Sequence, residues 1–169
     1  MIAFKRQRNI RESLIRAKVP PPPDLRPKRK LKGVVKCGKE CAACPYLIEG
    51  KNIKIDKRNT WRMNRRLTCS TFNSVYLIEC EKENCKQRYI GESKRPIRNR
   101  IADHRGYIVN KNIDKATGAH FNLPGHSLDN MKFTILEQVK NNDENYRRER
   151  EKYLITKFNT FYKGLNRQK

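Results

Sequence analysis

A short apolar segment and its return, joined by a polar loop, constrain the fold of this chain more than any other feature. Residues 75–80 read Val-Tyr-Leu-Ile-Glu-Cys, and Arg-Tyr-Ile follows at 88–90. A polar, partly charged loop, residues 81–87, lies between them. Strand-forming residues on both sides of a short polar loop predict an antiparallel β-hairpin. Tyr76 and Tyr89 are then neighbours across the sheet.

A helix is predicted directly after the hairpin. Pro96 suits its first turn, where the missing amide donor costs nothing, and Ser93 is a candidate cap just upstream. Arg100 and His104 fall on or beside the apolar face, away from the solvated side. A cation and an imidazole on a buried face indicate a functional role. The residues that define this face by their helical spacing are Ile97, Ile101 and Ile108.

A third strand and a long helix are predicted toward the C-terminus. Residues 133–139 read Phe-Thr-Ile-Leu-Glu-Gln-Val, a strand that completes a small three-stranded antiparallel sheet flanked by helices, in an α+β fold. The segment 141–143 can cap a helix that runs through Phe158. Glu151 lies on the apolar face of this helix with Leu154 and Ile155. A carboxylate there either pairs with an inward arginine or holds a cation.

The six cysteines predict two metal sites. Three thiols within eight residues, close to turn-forming Gly and Pro, can converge on one tetrahedral ion, and Cys69 is the next cysteine along the chain. The alternatives are free thiols with ordinary histidines, or ligands mixed between the two sets. The first predicted zinc set is Cys37, Cys41, Cys44 and Cys69. The second is Cys80, Cys85, His120 and His126.

The order of these residues resembles the GIY-YIG nuclease family. Ser-Val-Tyr at 74–76 stands in place of the first triplet, with Ser for Gly and Val for Ile, and Tyr-Ile-Gly at 89–91 matches the second. Arg100 and His104 follow on the next predicted helix. The closest likeness, from Cys37 to the C-terminus, is to the endonuclease domain of Penelope-like retroelements. That variant has a cysteine pair between the triplets and histidines downstream, as this chain does.

The resemblance implies a metal-dependent DNA endonuclease that nicks one strand to prime reverse transcription at the target site. DNA is then the partner, with element RNA and a reverse transcriptase domain as further possible partners. Two other functions stay open. One is a zinc-stabilised nucleic-acid-binding protein that does not cleave, and the other is a structure-specific DNA repair nuclease.

The resemblance also assigns catalytic roles. Arg100 would contact the scissile phosphate with its planar guanidinium. The general base would be a tyrosine or the neighbouring histidine, so Tyr76, Tyr89 and His104 share this role. A free phenol has a pKa of about 10, and a nearby metal ion and Arg100 would favour the phenolate. Simple core packing is the alternative role of the two tyrosines.

The C-terminal helix resembles the one that carries the family's metal-binding glutamate. Glu151 is the matching position, with Glu149 as the alternative, and it would hold one Mg²⁺ or Mn²⁺ through oxygen. Near the end, Gly164-Leu165-Asn166 resembles the family's terminal asparagine motif. Asn166 and four basic residues around the first predicted helix are predicted to contact DNA. The four basic residues are Lys94, Arg95, Arg98 and Arg105.

The charge of the chain favours a polyanionic partner. Lys and Arg number 40 against 17 Asp and Glu, which gives a net charge of +23. An acidic membrane is a weaker alternative, because no apolar run approaches the roughly 18 residues that span a bilayer. No signal peptide precedes the charged residues, so a reducing compartment is expected, in which clustered thiols favour metal over disulfides.

Three regions are expected. Residues 1–32 form a basic leader helix and a Pro-rich linker. Within them, residues 27–32 are a basic cluster of the type that nuclear import factors bind. A solvated tail is an equally plausible interpretation of this cluster. Residues 33–70 form a cysteine-rich zinc-binding extension, in which 53–63 is an irregular strand or loop packed on the metal site. Residues 71–169 form the GIY-YIG-like nuclease domain, with a loop or single helical turn at 114–125. A nuclear, intracellular protein is the expectation.

Overall fold

The computed structural model describes residues 32–57, 59–140 and 143–166. The predicted leader therefore lies outside the described residues, apart from Lys32. The strands are β1 (Gly33–Val34), β2 (Asn52–Lys54), β3 (Thr60–Arg62), β4 (Arg66–Leu67), β5 (Ser74–Cys80), β6 (Arg88–Ser93) and β7 (Met131–Gln138). The helices are α1 (Ile97–Val109), α2 (Ala116–Phe121) and α3 (Glu144–Lys157).

The predicted three-stranded antiparallel sheet is confirmed. Its strand order is β6-β5-β7, so the central strand is β5. Both faces of β5 are buried, because α1 and α2 lie on the face that carries Tyr76, and α3 reaches Glu92 on the other face. In the register of the hairpin, Tyr76 lies opposite Gly91 and Ile78 lies opposite Tyr89. The two tyrosines are therefore diagonal neighbours on one face.

A β-bulge interrupts the pairing of β5 with β7 just before Tyr76. Val75 pairs with Glu137 and Tyr76 with Ile135, which leaves Leu136 without an opposite residue. The Leu136 carbonyl instead accepts a hydrogen bond from the Trp61 indole at 2.9 Å. A bulge bends a strand and re-aims the side chains beside it. Trp61 thus supports the strand geometry next to a predicted catalytic residue.

The segment around Trp61 differs from the prediction. An irregular strand or loop on the cysteine set was expected, whereas β2 and β3 form a regular hairpin that pairs Ile53 with Trp61. The Trp61 ring packs beside Phe158 at the end of α3, with 6.5 Å between the ring centroids. The prediction was wrong because the residues that Trp61 contacts, in β7 and at the end of α3, lie far from it in the sequence.

Helix α1 and its buried face are confirmed, but the predicted cap is wrong. Ser93 is the last residue of β6, and its hydroxyl donates to the carbonyl of Arg95. The first free amides of α1, at Ile97 and Arg98, donate at 2.8 Å to the carbonyls of Thr71 and Cys69. Backbone at the end of the cysteine-rich region, at Cys69, and just after it, at Thr71, therefore caps the helix that carries Arg100 and His104.

Helix α2 is longer than the predicted single turn. It spans six residues and packs closely on the end of α1 and the loop that follows, since a Cβ added at Gly118 would lie 2.9 Å from the Tyr107 carbonyl oxygen and 2.0 Å from that of Asn112. Helix α3 begins as predicted, with the Asp143 side chain accepting a hydrogen bond from the Tyr146 amide at 3.1 Å. Phe158 is its buried C-cap.

The cysteine-rich region adds to the outer edge of the sheet. Its β1 and β4 pair with each other in parallel and do not join the central sheet. The Ile48 amide donates to the Phe133 carbonyl of β7 at 2.8 Å. No helix among the described residues is long and apolar enough to cross a lipid bilayer.

Candidate active site and metal-binding clusters

Tyr76 is the centre of a buried hydrogen-bond network. Its hydroxyl oxygen lies 2.7 Å from Nε2 of His104 and accepts a hydrogen bond from Nε of Arg100 at 2.9 Å. The ring centroid of Tyr89 lies 6.4 Å from that of Tyr76 and 5.4 Å from that of His104. Tyr76 and His104 are 0% and 2% exposed, so water competes little for these bonds. Four of the predicted catalytic residues therefore meet.

Gly91 allows the two tyrosine rings to meet. A Cβ atom added at Gly91 would lie 2.5 Å from the hydroxyl oxygen of Tyr76 and 2.9 Å from Cε1 of Tyr89. Both distances are well inside van der Waals contact, so any side chain here would displace a ring. The glycine of the second triplet therefore has a steric function at this position.

Burial and a nearby cation set the protonation of the network. Burial, together with the charge of Arg100, lowers the pKa of His104 to about 3, so its imidazole is neutral at physiological pH. Burial raises the pKa of Tyr76 and of Tyr89, and Arg100 opposes both increases. Both phenols are therefore protonated at neutral pH. A cation added beside them would lower their pKa values.

The negative charge of Glu151 acts on both phenols. Burial is the largest cause of the raised pKa of Tyr76 and of Tyr89, and the negative charge of Glu151 adds to it in each case. Glu151 is half-buried, whereas Glu149 is exposed. Oxygen ligands are those that Mg²⁺ and Mn²⁺ prefer, and a site with one carboxylate leaves room for waters and a phosphate. Of the two glutamates, Glu151 is the one whose charge acts on the phenols, and it could hold such an ion.

Arg147 is a buried site residue that the sequence analysis missed. It is 3% exposed and forms an ion pair with Glu92 of β6. Its Nη1 also donates to Oδ1 of Asn73 at 2.6 Å. The available signal was its spacing, since Arg147 precedes Glu151 by one turn on the same helical face. These contacts fix α3, and with it Glu151, against the sheet.

The predicted DNA contacts have different surroundings. Lys94, Arg95 and Arg98 are exposed at the start of α1. Arg105 is half-buried, because its guanidinium lies over the Tyr46 ring at 5.2 Å and donates to the Ala42 carbonyl at 3.4 Å. Arg105 thereby joins α1 to the cysteine-rich region. DNA contact by these four residues stays a prediction.

Asn166 has a structural partner. Its side-chain amide accepts a hydrogen bond from the Ile90 amide at 2.9 Å and donates to the Ile90 carbonyl at 2.7 Å. Gly164 permits this approach, since a Cβ there would lie 2.5 Å from the Arg88 carbonyl oxygen. The terminal motif therefore pairs with the free edge of β6, next to Tyr89. A DNA contact by Asn166 stays a prediction.

The first cysteine set converges on one point. Its Sγ atoms are separated by 3.6 Å for Cys37 and Cys44, 3.4 Å for Cys41 and Cys69, and 3.7 Å for Cys44 and Cys69. Zinc bonds to sulfur at about 2.3 Å, which places the sulfurs of a tetrahedral site about 3.8 Å apart. Burial raises the pKa of Cys69 and of Cys44. The four thiols could therefore hold one metal ion that displaces their protons.

The second set joins the hairpin loop to α2. The four ligand atoms of Cys80, Cys85, His120 and His126 lie within 4.8 Å of one another. Nδ1 of His126 lies 3.3 Å from the Pro124 carbonyl, which can only accept, so Nδ1 carries the proton. The buried Nε2 of His126 has no hydrogen-bond partner among the described residues. A buried nitrogen lone pair whose opposite ring nitrogen donates to a carbonyl is well suited to coordinate a metal ion.

A family model for the GIY-YIG catalytic domain matches residues 72–166, more than half of the chain. No curated protein and no solved structure gives a significant match. The matched range contains both tyrosines, Arg100, His104 and Glu151, and the three-stranded sheet that brings them together. The chain therefore belongs to the GIY-YIG family, a family of nucleases that act on DNA and use divalent metal ions.

Proposed function

We propose that this protein is a DNA-nicking endonuclease whose catalytic residues are Tyr76, Tyr89, Arg100, His104 and Glu151. The observation that carries the proposal is the buried network in which the Tyr76 hydroxyl contacts both Arg100 and His104. Core tyrosines do not require a guanidinium and an imidazole on one hydroxyl. Burial of a guanidinium and an imidazole costs free energy unless hydrogen bonds offset it, and such buried titratable groups cluster at functional sites.

The chemistry follows from what phosphodiester hydrolysis needs. It needs an activated water, stabilisation of charge on the phosphate oxygens and help for the leaving oxygen. Arg100 offers N–H groups to the scissile phosphate. Tyr76 and His104 together take the proton of the attacking water, because the imidazole is neutral and its Nε2 lies on the phenolic oxygen. The charge of a bound phosphate offsets Arg100 and raises the pKa of His104, which favours this proton uptake.

Glu151 would hold the divalent ion. The half-buried carboxylate beside two phenols fits a hard cation that keeps several waters. When bound, Mg²⁺ or Mn²⁺ polarises the phosphate and stabilises the leaving oxygen. Glu151 binds and orients the ion, and Arg147 holds the helix that carries Glu151 in place.

Zinc is the ion we assign to both cysteine clusters. Thiolate and imidazole ligands in a closed set of four are typical of structural zinc sites. The first cluster would stabilise the extension 33–70, which caps α1, and the second would fix α2 to the hairpin loop of the domain 71–169. The leader 1–32 would supply a further basic segment.

A Penelope-like retroelement is the origin we infer. The arrangement that supports it is the cysteine pair at the two ends of the hairpin loop, with His120 and His126 completing one cluster. In this setting the nick primes reverse transcription at the target site, element RNA and a reverse transcriptase domain are partners, and the protein acts in the nucleus.

Plasmid cleavage tests the proposal. With Mg²⁺, the wild-type protein should convert supercoiled plasmid to the open circle and leave a 3′ hydroxyl that a reverse transcriptase extends. A strong preference for branched DNA over plain duplex would indicate a structure-specific repair nuclease. Tight binding without cleavage of any substrate, in protein with both cysteine clusters loaded, would leave only a nucleic-acid-binding protein.

A further inference from the structure

We propose that Thr117 is a positioning residue that fixes the tautomer of His104 and so directs the Tyr76 phenolic proton onto Nε2. The hydroxyl oxygen of Thr117 lies 2.9 Å from Nδ1 of His104, on the opposite side of the ring from Tyr76. The three side chains thus form a buried row across α2, α1 and β5. This inference rests on the proposed function, since it assigns a role within the same site.

The row is closed to solvent. Thr117 is 1% exposed, His104 is 2% exposed and Tyr76 is 0% exposed. In such surroundings an unpaired polar hydrogen is costly, so each hydrogen must find an acceptor. A neutral imidazole has one N–H and one lone pair, and the two neighbours decide which nitrogen carries the proton.

The hydrogen bonds around Tyr76 favour one tautomer, and the Thr117 hydroxyl stabilises the same one. Arg100 can only donate, so its bond at 2.9 Å uses an acceptor site of the phenolic oxygen. The phenolic hydrogen then needs an acceptor, and Nε2 of His104 is the one in contact at 2.7 Å. Nε2 must therefore be unprotonated, and the proton lies on Nδ1. The Thr117 hydroxyl oxygen then accepts a hydrogen bond from Nδ1–H, which a Val or Ala side chain at 117 could not do.

Helix α2 connects this row to the second cysteine cluster. Thr117 lies on α2 three residues before His120, and His120 lies 3.6 Å from the Cys85 sulfur. Gly118 seats the same helix against the Asn112 carbonyl. The cluster that anchors α2 to the hairpin loop therefore also supports the Thr117 hydroxyl.

The test measures the tautomer and the reaction separately. In ¹⁵N-labelled wild-type protein, with the His104 signals assigned by their loss in His104→Gln, the NMR shifts should report a proton on Nδ1 and a lone pair on Nε2. A proton on Nε2 in the wild type would overturn the inference, whether or not the protein nicks DNA. A failure to nick, with Nδ1 protonated, would instead count against the proposed function alone.

A matched pair of variants tests the hydroxyl. Thr117→Val keeps the shape and removes the acceptor of the Nδ1 proton, so part of the imidazole population should move its proton to Nε2, and kcat for nicking should fall by about 10²-fold with KM unchanged. Thr117→Ser keeps the hydroxyl and should restore both the tautomer and kcat to within a few-fold. Equal kcat in the two variants, or a wild-type tautomer in Thr117→Val, would contradict the inference. The wild-type NMR measurement decides the case if the Val variant does not fold.

Discussion

The substitution Gly91→Ala tests the packing of the active site most sharply. The new Cβ would lie 2.5 Å from the Tyr76 hydroxyl oxygen and 2.8 Å from its Cζ. The Tyr76 ring cannot move freely, because it is fully buried and its hydroxyl is held by Arg100 and His104. Overpacking of this kind costs about 1–3 kcal/mol of stability. A displacement of about 1 Å at a reacting group lowers the rate by about 10²-fold.

Gly106→Ala is the matched control. Gly106 lies within helix α1, and a Cβ there would meet nothing within 4 Å. Alanine is preferred over glycine inside a helix by about 0.5–1 kcal/mol, so this variant should be slightly more stable and equally active. Urea unfolding and single-turnover nicking measure both effects. Gly91→Ala with wild-type stability and rate would refute the claim that the two tyrosine rings are held in contact across this glycine.

Three further predictions concern protonation, burial and metal content. The pKa of His104 is lowered to about 3, so between pH 6.5 and pH 3 the unfolded state binds one more proton than the folded state. As the pH decreases through this window, this histidine should therefore lower the free energy of unfolding by about 1.4 kcal/mol per pH unit. His104→Gln should show a shallower pH dependence in urea titrations. Arg147→Met leaves Glu92 and Asn73 without their buried partner and should lower the free energy of unfolding by about 3 kcal/mol, and adding Glu92→Gln should recover part of the loss. Elemental analysis of protein purified without chelator should find two zinc ions per chain, and Cys69→Ser should remove one of them; no zinc in the wild type would exclude both sites.

Local patterns in the sequence predicted the parts of the fold that depend on neighbours in the chain. The hairpin, the apolar face of α1 and the cap at Asp143 follow from spacing and residue type over a few positions. The two metal-ligand sets were also predictable, since six cysteines and two histidines divide into two groups of four. The predicted placement of Arg100 and His104 on the buried face of α1 is confirmed.

Contacts between distant segments could not be predicted in the same way. The pairing of Arg147 with Glu92 joins residues far apart in the chain, and neither position is unusual by itself. The capping of α1 by the carbonyls of Thr71 and Cys69 involves backbone atoms, which carry no residue-type signal. In the sequence, nothing distinguishes Thr117 from the other threonines. Its contact with His104 exists only because α2 packs beside α1. These features depend on tertiary packing rather than on local propensity.

Single-turnover nicking by Glu151→Gln and Glu149→Gln is the most direct test that one carboxylate completes the site around Tyr76. The two residues lie two positions apart on α3 and differ in burial, so the pair controls for the loss of charge. Glu151→Gln should bind DNA with wild-type affinity and nick it at least about 10²-fold more slowly at saturating Mg²⁺, while Glu149→Gln keeps the wild-type rate. Equal rates in the two variants, or a larger loss in Glu149→Gln, would contradict the assignment of the active site.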